Sequence, residues 1–269
     1  MKFVFSRCVW VGAVFGVLSM FAGFANAQAE IIFSEDFSGT SGAVSSLDGT
    51  AEDTSGAIWA ANGFATDNGI LNTGQFEGSA TLATTLAADT IYTLNLDVTS
   101  DSDDWVGLGF SENGSTSVAN RPQDRFAQSG GRAWFLFRPE EGGANPIADQ
   151  VQIFGGSNTA NGIADIDTDY SGALTTRTLT VILDTASTGF QADFLIDGVS
   201  QSSGFQSVGG TLADFAHVGF TFEGPGGAAA GSISVDNFSF SGKAAIPEPS
   251  SMALLGLVSV VGLTRRRRS

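Results

Sequence analysis

The stretch that decides the fold is residues 179–198, which read Leu-Thr-Val-Ile-Leu-Asp-Thr-Ala-Ser-Thr-Gly-Phe-Gln-Ala-Asp-Phe-Leu-Ile-Asp-Gly. Two short apolar runs flank a polar loop that passes through Ala186 to Gly189, which is the pattern of a β-hairpin. The pair Asp197-Gly198 follows at once and supplies a residue able to take positive φ. The sequence therefore predicts a hairpin and, directly after it, another chain reversal.

The same pattern extends over residues 28–249, where short apolar runs and period-2 alternation recur between turn signals and no convincing helical periodicity appears. We therefore expect an all-β domain, a two-sheet antiparallel β-sandwich of about twelve short strands. The regular strand spacing, acidic loops and Phe-rich strands favour a sandwich over a barrel or a propeller, and the absence of an internal repeat disfavours a solenoid. The expected strands are Ile31–Phe37, Ala57–Asn62, Gly69–Thr73, Ser79–Thr85, Ile91–Thr99, Trp105–Ser111, Arg132–Arg138, Gln150–Phe154, Arg177–Asp184, Ala192–Ile196, Phe215–Phe222 and Ile233–Phe240.

Charge and composition exclude several functions. Six of the 12 basic residues lie in the two ends, so residues 28–249 carry six cations against all 28 acids, a net charge of −22. Such a domain repels nucleic acid and anionic lipid surfaces, and we expect no nucleic-acid partner. The single Cys8 lies near the N-terminus and the single histidine is His217, which excludes cysteine metal sites and multi-histidine zinc centres from the domain.

The N-terminus has the tripartite pattern of a secretory signal peptide, expected as a signal helix over residues 1–27. Lys2 and Arg7 precede an apolar stretch from Cys8 to Ala25, and Ala25 and Ala27 give the small residues that signal peptidase requires. The alternative is an N-terminal membrane anchor. With cleavage, the mature chain begins near Gln28 outside the cytoplasm.

The C-terminus carries a second apolar segment, Met252 to Leu263, expected as a short hydrophobic helix. It is short for a permanent span, which needs about 20 residues, so we expect transient membrane insertion. Positive residues stay on the cytoplasmic side, which leaves the Pro-Glu-Pro sequence at the outer face of the membrane. The flanking residues are Pro247, Glu248 and Pro249 on one side and Arg265, Arg266, Arg267 and Arg268 on the other.

The tail PEPSSMALLGLVSVVGLTRRRRS is similar to the PEP-CTERM sorting signal of Gram-negative bacteria. The resemblance implies recognition by exosortase, a membrane-embedded cysteine transpeptidase, and hosts that make exopolysaccharide and grow in biofilms. A plain C-terminal anchor is the alternative. The expected organisation is a signal peptide over residues 1–27, a β-sandwich domain over 28–243 and the sorting signal over 244–269. The expected location is the cell envelope, the outer surface or the extracellular matrix.

The domain itself resembles the laminin-G-like or concanavalin-like jelly rolls. The resemblance is carried by Ile32 to Phe37, Phe194 to Val199 and Ile233 to Phe240. In such folds the first and last strands commonly lie side by side, which implies that the sorting tail leaves the domain close to the mature N-terminus.

Alternate carboxylates indicate one possible Ca²⁺ site. Asp165, Asp167 and Asp169 lie in Asp-Ile-Asp-Thr-Asp-Tyr-Ser-Gly, and oxygen ligands at alternate loop positions can converge on a hard cation. The segment departs from an EF-hand because Tyr170 stands at the turn glycine and Thr176 at the last ligand position. A solvated acidic loop is the alternative, here and at Asp101, Asp103 and Asp104. The resemblance also implies calcium binding, because jelly rolls of this type often carry a calcium ion.

Tryptophan side chains are the candidates for sugar stacking. Trp105 adjoins the second acidic cluster, and Trp134 shares a strand face with Leu136, while Trp59 is the third tryptophan of the mature chain. Each has the alternative role of a core residue. We name Trp105 and Trp134 as the candidate ligand contacts, with exopolysaccharide as the expected partner.

Catalysis has less support in the sequence. The Glu-x-Asp-x-x-Glu array of laminarinase-like glycosidases and the G-x-S-x-G elbow are both absent, and Glu140-Glu141 is expected in a solvated turn. His217 points away from Val218 and Phe220 in its expected strand, without a catalytic partner. We expect a non-enzymatic binding or structural module; the alternatives are a polysaccharide hydrolase or lyase and an inert coat protein.

Intact-mass and terminal-peptide mass spectrometry of the secreted protein tests the two processing events. We expect a chain that starts near Gln28 and lacks Arg265 to Arg268, because both ends carry removable targeting segments. Recovery of the Arg265–Arg268 peptide from mature protein would contradict removal of the tail.

Overall fold

The computed structural model describes residues 28–38, 45–67, 70–73, 77–100, 105–114, 130–138, 151–156, 162–166, 175–186, 189–223 and 233–245. The predicted signal helix and the predicted C-terminal helix lie outside these ranges. Within them, no helix has the length and hydrophobicity needed to cross a membrane. The strands are β1 (Glu30–Glu35), β2 (Ser45–Ser46), β3 (Ala60–Asn62), β4 (Phe64–Asp67), β5 (Ile70–Thr73), β6 (Glu77–Ala83), β7 (Thr90–Ser100), β8 (Trp105–Ser111), β9 (Gly131–Phe137), β10 (Val151–Phe154), β11 (Gly162–Ile166), β12 (Thr175–Asp184), β13 (Gln191–Ile196), β14 (Val199–Ser200), β15 (Gln206–Ser207), β16 (His217–Glu223) and β17 (Ile233–Ala244).

These strands form two antiparallel sheets, which confirms the predicted all-β sandwich. The larger sheet has ten strands in the order β14-β13-β12-β7-β17-β5-β4-β2, with β1 paired to β17 and β15 paired to β13. The smaller has seven strands in the order β11-β10-β9-β8-β16-β6-β3. Alternate residues of each strand face the space between the sheets, where most of the apolar side chains are buried.

The predicted hairpin is present in the larger sheet. Strands β12 and β13 pair from Leu179 opposite Ile196 to Asp184 opposite Gln191. The next reversal is a two-residue turn, in which Asp197 has φ 50° and Gly198 has φ 77°. Positive φ at both central residues is the geometry that matches the right-handed twist of a two-strand ribbon.

Aromatic rings fill the centre of the sandwich. The Trp59 ring lies 5.1 Å from the Phe238 ring of the larger sheet and 5.7 Å from the Phe220 ring of the smaller. Both contacts are edge-on, a favoured geometry that adds about 0.5–1.5 kcal/mol per pair beyond the burial of apolar area. Trp59 is therefore a core residue that joins the two sheets.

Strand β17 is hydrogen-bonded along both edges. It pairs with β7 from Ile233 to Ala244, interrupted by a bulge near Asn237, and with β1 from Phe238 to Gly242. Asn237 adopts φ 49° in that bulge. The first and last strands are therefore neighbours, as the jelly-roll resemblance implies. The strand extends to Ala244, one residue beyond the expected end of the domain.

Two local differences from the sequence-based strands have physical reasons. Strand β16 begins at His217 and not at Phe215, because residues 212–215 form a single 3-10 turn in which Asp214 accepts a hydrogen bond from the Thr211 N–H at 2.6 Å. Strand β11 is not among the expected strands, because its residues overlap the acidic segment that the sequence predicts as a loop.

The Glu52 carboxylate fixes the loop that follows β2. It is buried; its Oε2 accepts from the N–H groups of Ser34 at 3.1 Å and Thr54 at 2.8 Å, while its Oε1 accepts from the N–H and hydroxyl of Ser55. Burial alone would raise the pKa of Glu52, but the hydrogen bonds from Ser55, Thr54 and Ser34 outweigh it and lower the pKa. The carboxylate thus holds the loop against β1.

Replacing Glu52 with Gln tests this clamp. The amide nitrogen cannot accept, so N–H donors are left unpaired, and we expect a loss of about 2 kcal/mol or more in the free energy of unfolding at pH 7. Because the folded pKa lies below the ordinary value of 4.5, the stabilisation is present above pH 4.5 and is lost as the pH falls through the folded pKa. Urea unfolding at pH 7, 5 and 3 should therefore show a difference in the free energy of unfolding between the variant and wild type that shrinks only in acid. Glu30→Gln, at an exposed position, is the control; an equal loss at pH 3 would contradict the prediction.

Candidate functional site

The predicted calcium ligands are only partly within the described residues. Asp165 lies in β11, opposite Gln152 of β10, and not in a loop. Asp167 and Asp169 lie outside the described ranges, as do Asp101, Asp103, Asp104 and the Glu140-Glu141 pair. The signal-cleavage and sorting residues also lie outside them. The structure therefore corrects the loop assignment at Asp165 and leaves the metal prediction as it stands.

Trp134 lies on the outer face of the smaller sheet and is fully buried. Its ring stacks on Phe154 at a centroid distance of 4.1 Å and its Nε1–H donates to the Gly156 carbonyl at 3.0 Å. Trp134, Leu136 and Phe154 form a second apolar cluster, separate from the core between the sheets. The shared face of Trp134 and Leu136 is confirmed, and the position of Trp134 in this structure is that of a packing residue.

Trp105 begins β8 and packs at the border of the same cluster. It is half-buried, and the Arg138 guanidinium carbon lies 4.7 Å from the centre of its ring. A guanidinium above an indole face is a favourable cation–π contact. Among the described tryptophans, Trp105 is the one with solvent exposure.

A row of small and polar residues crosses the same outer face. Thr81 of β6 lies opposite Gly219 of β16, which lies opposite Gly109 of β8, which lies opposite Trp134. A Cβ at Gly219 would stand 2.1 Å from the Ala80 carbonyl oxygen, so the close approach of the strands requires glycine there. Within the part of the chain that the structure describes, the buried Thr81 and Thr221 hydroxyls have no hydrogen-bond partner.

His217 is on this outer face as well, opposite in direction to Val218 and Phe220, as predicted. Burial lowers its pKa, and a hydrogen bond to the backbone of Glu112 acts in the opposite direction. The imidazole is therefore neutral near pH 7, and its buried Nδ1 has no partner among the described residues. No hydrogen bond joins it to a nucleophilic side chain within the described ranges.

An acidic group that the sequence analysis missed lies at the end of β1. The carboxylates of Glu35, Asp36 and Asp53 bring one oxygen each to within 4.8 Å of one another. Buried Glu35 accepts from the Trp59 Nε1–H at 3.3 Å and from the Phe37 N–H at 2.8 Å. Burial is the main cause of its raised pKa. Carboxylate oxygens are the metal ligands that Ca²⁺ prefers, and this group supplies three of them.

A cavity of about 280 Å³, lined mostly by polar residues, opens on the outer face of the larger sheet. Its lining residues come from β12, β7 and β17, next to the bulge of β17. Asp97 lies directly opposite Asp236 on the neighbouring strand. The lining residues are Asp97, Thr99, Thr176, Ser234, Val235, Asp236 and Asn237.

The two carboxylates of this cavity have different surroundings. Asp97 accepts from the Thr178 hydroxyl at 2.6 Å and from the Asn237 side-chain amide at 2.9 Å. Burial raises the pKa of Asp236, the Asn237 N–H partly offsets this, and the charges of Asp97 and Asp36 raise the pKa further. Asp236 therefore carries the less well stabilised charge of the pair.

Neither acidic group has a local sequence signature. Asp97 and Asp236 are brought together only by the pairing of β7 with β17, and Asp53 reaches Glu35 from the loop that Glu52 holds. The period-2 pattern places Asp97 and Asp236 on outward faces, but it cannot say which strands are neighbours.

Comparisons with known proteins agree with the fold and the tail. Residues 245–268 match the model of the PEP-CTERM protein-sorting motif, and no curated protein matches the chain in sequence. The carbohydrate recognition domain of Emp47p has a similar fold, with a TM-score of 0.51 at 10% identity over 80% of this chain and 96% of that chain.

Two further structures have lower TM-scores. The lectin UEA-II in complex with galactose gives 0.49 at 11% identity, over 81% of this chain and all of that chain. The endo-1,3-beta-glucanase from Streptomyces sioyaensis gives 0.45 at 12% identity, over 80% and 97%. At these identities the likeness concerns the fold. The chain carries a PEP-CTERM sorting motif, and the domain that precedes it has a lectin-like, concanavalin-like jelly-roll fold.

Proposed function

We propose that this chain is a non-catalytic polysaccharide-binding module that its tail delivers to the cell envelope or extracellular matrix. The PEP-CTERM motif marks it as an exported protein. The fold is one that carbohydrate recognition domains use, as in Emp47p. Exopolysaccharide of the producing cell is the partner that these two features favour, with signal peptidase and exosortase acting during export.

The cavity on the larger sheet is the observation that carries the proposal. Its lining offers the Asp236 carboxylate and the Ser234 hydroxyl, next to two hydrogen-bonded pairs, Asn237 with Asp97 and Thr99 with Thr176. These groups accept and donate hydrogen bonds in the mixture that sugar hydroxyls require. At about 280 Å³ the cavity lies just below the roughly 300–1,000 Å³ of drug-sized ligand sites, which suits a single sugar unit.

The alternative of a polysaccharide hydrolase has one specific observation in its favour. Asp97 and Asp236 face each other from adjacent strands, and paired carboxylates with different environments are what glycosidases use. Against catalysis, both oxygens of Asp97 already accept hydrogen bonds, from Thr178 and Asn237. Release of reducing sugar from a polysaccharide panel separates the two functions, since a binding module releases none.

Glycan-array binding of residues 28–245 tests the proposal. Asp236→Asn removes the charge and keeps the shape, and we expect it to weaken binding about tenfold or more, because hydrogen bonds to a charged group contribute about 1.5–3 kcal/mol. Ser241→Ala, farther along the same strand, is the matched control and should bind as wild type.

Trp105→Ala distinguishes the two faces of the sandwich. Loss of binding in Trp105→Ala with unchanged binding in Asp236→Asn would move the site to the outer face of the smaller sheet. Absence of saturable binding by the wild-type protein would favour the coat protein instead.

Calcium binding is a separate part of the proposal. Since residues 28–249 carry a net charge of −22, a bound cation relieves repulsion, and Ca²⁺ at a hundredfold its Kd stabilises by about 2.7 kcal/mol, a rise of several degrees in Tm. Thermal melting with Ca²⁺ and with chelator measures this. If Glu35, Asp36 and Asp53 hold the ion, Asp53→Asn should abolish the rise in Tm. If the predicted Asp165–Asp169 site holds it, Asp167→Asn should abolish the rise. An unchanged Tm in wild type would remove calcium from the proposal.

A further inference from the structure

The sorting motif begins on a residue that is still part of the folded domain. Ala244 pairs with Thr90 at the end of β17, and the Ala245 N–H donates to the Asp89 carbonyl at 2.7 Å. The match to the sorting motif starts at residue 245, and Pro247 follows two residues later. Because an extended residue spans at most about 3.6 Å, Pro247 lies within about 7 Å of Ala245.

The length of the connection to the apolar segment places the end of the domain at the membrane. The apolar segment of the tail starts at Met252, seven residues after Ala245, so the connection spans about 25 Å at most. While the tail is inserted, the end of the sandwich where β17 finishes is held at the outer membrane surface.

Fraying of β17 offers little extra length. Gly242 pairs with Glu30 on one side and Tyr92 on the other, and the next inward residue, Phe240, is fully buried. The Phe240 ring stacks on Tyr92 at 5.4 Å and lies 5.8 Å from Phe33. Opening the strand as far as Phe240 would expose this cluster, so an enzyme that grips Pro-Glu-Pro meets a folded end.

Two exposed isoleucines flank the strand that leads to the tail. Ile31 of β1 lies opposite Ser241 and is 58% exposed, and Ile91 of β7 lies opposite Lys243 and is 36% exposed. Both are on the outer face of the sheet, one on each side of β17, and they lie about 12 Å apart, because two strand spacings and a two-residue offset along β17 separate them. We name Ile31, Ile91 and Lys243 the exit surface.

We propose that the enzyme that processes the tail binds the exit surface of the folded sandwich together with the Pro-Glu-Pro motif. The short connection brings the enzyme and the folded domain into contact, and Ile31 and Ile91 provide apolar surface for that contact. A protein partner is favoured over lipid because exposed Glu30 and Asp89 border the surface and residues 28–249 carry a net charge of −22. This inference rests on the sorting motif and not on glycan binding.

Processing of the full chain in cells that contain exosortase tests the contact. We expect the double variant Ile31→Asn, Ile91→Asn to lose its tail severalfold more slowly than wild type, measured by pulse-chase and mass spectrometry of the C-terminal peptide. Val199→Asn, at a 63% exposed position on β14, is the matched control and should be processed at the wild-type rate. Thermal melting of each variant shows whether it is folded.

Insertion of a twelve-residue Gly-Ser linker between Ala245 and Ile246 provides a second test that does not depend on the isoleucine variants. The enzyme can then reach the motif without touching the domain, so we expect slower processing than wild type and no further effect of the two Ile→Asn changes. Faster processing with the linker, or wild-type processing of a folded double variant, would overturn the proposal. Glycan binding by the processed protein should be unaffected in every arm, which keeps the two proposals separate.

Discussion

The two-sided pairing of β17 is the constraint on which the rest of the structure depends. This last strand lies between β7 and β1, and through its inward residues it supplies Phe238 and Phe240 to the core. Because contacts between the first and last strands have the greatest separation in sequence, the larger sheet can be completed only after the whole domain has been exported.

The aromatic core extends this constraint to the acidic residues at the end of β1. Trp59 packs against Phe238 of β17 and donates its Nε1–H to Glu35, so the same side chain fills the core and orients a buried carboxylate. A buried charge is costly unless it is hydrogen-bonded. The core therefore fixes the Glu35 carboxylate, while the loop that Glu52 holds positions Asp53 beside it.

Much of the fold was predictable because each strand carries its own signal. Strand β8 has the predicted bounds, and the hairpin of β12 and β13 with its Asp197-Gly198 turn follows from local pattern and turn chemistry. The candidate site was much less predictable. Asp97 and Asp236 are 139 positions apart in the sequence and meet only through strand order, which period-2 alternation does not encode. Trp134 was a reasonable ligand candidate by residue type, but its stacking on Phe154 depends on the pairing of β9 with β10.

The way this domain accommodates its negative charge explains why the Asp97–Asp236 pair stands apart. Glu52 and Asp193 are buried and accept several hydrogen bonds each from nearby backbone and hydroxyl donors, so they are stabilised without cations. Asp236 accepts from the adjacent Asn237 N–H at 2.8 Å and faces a second carboxylate across the ladder, an arrangement that costs stability in a sheet. A ligand that donates hydrogen bonds to this pair relieves that cost when it binds. Natural sequences break local rules most often at functional positions, and here the unfavourable pair lines an open cavity of about 280 Å³, which is why we propose this cavity as the binding site.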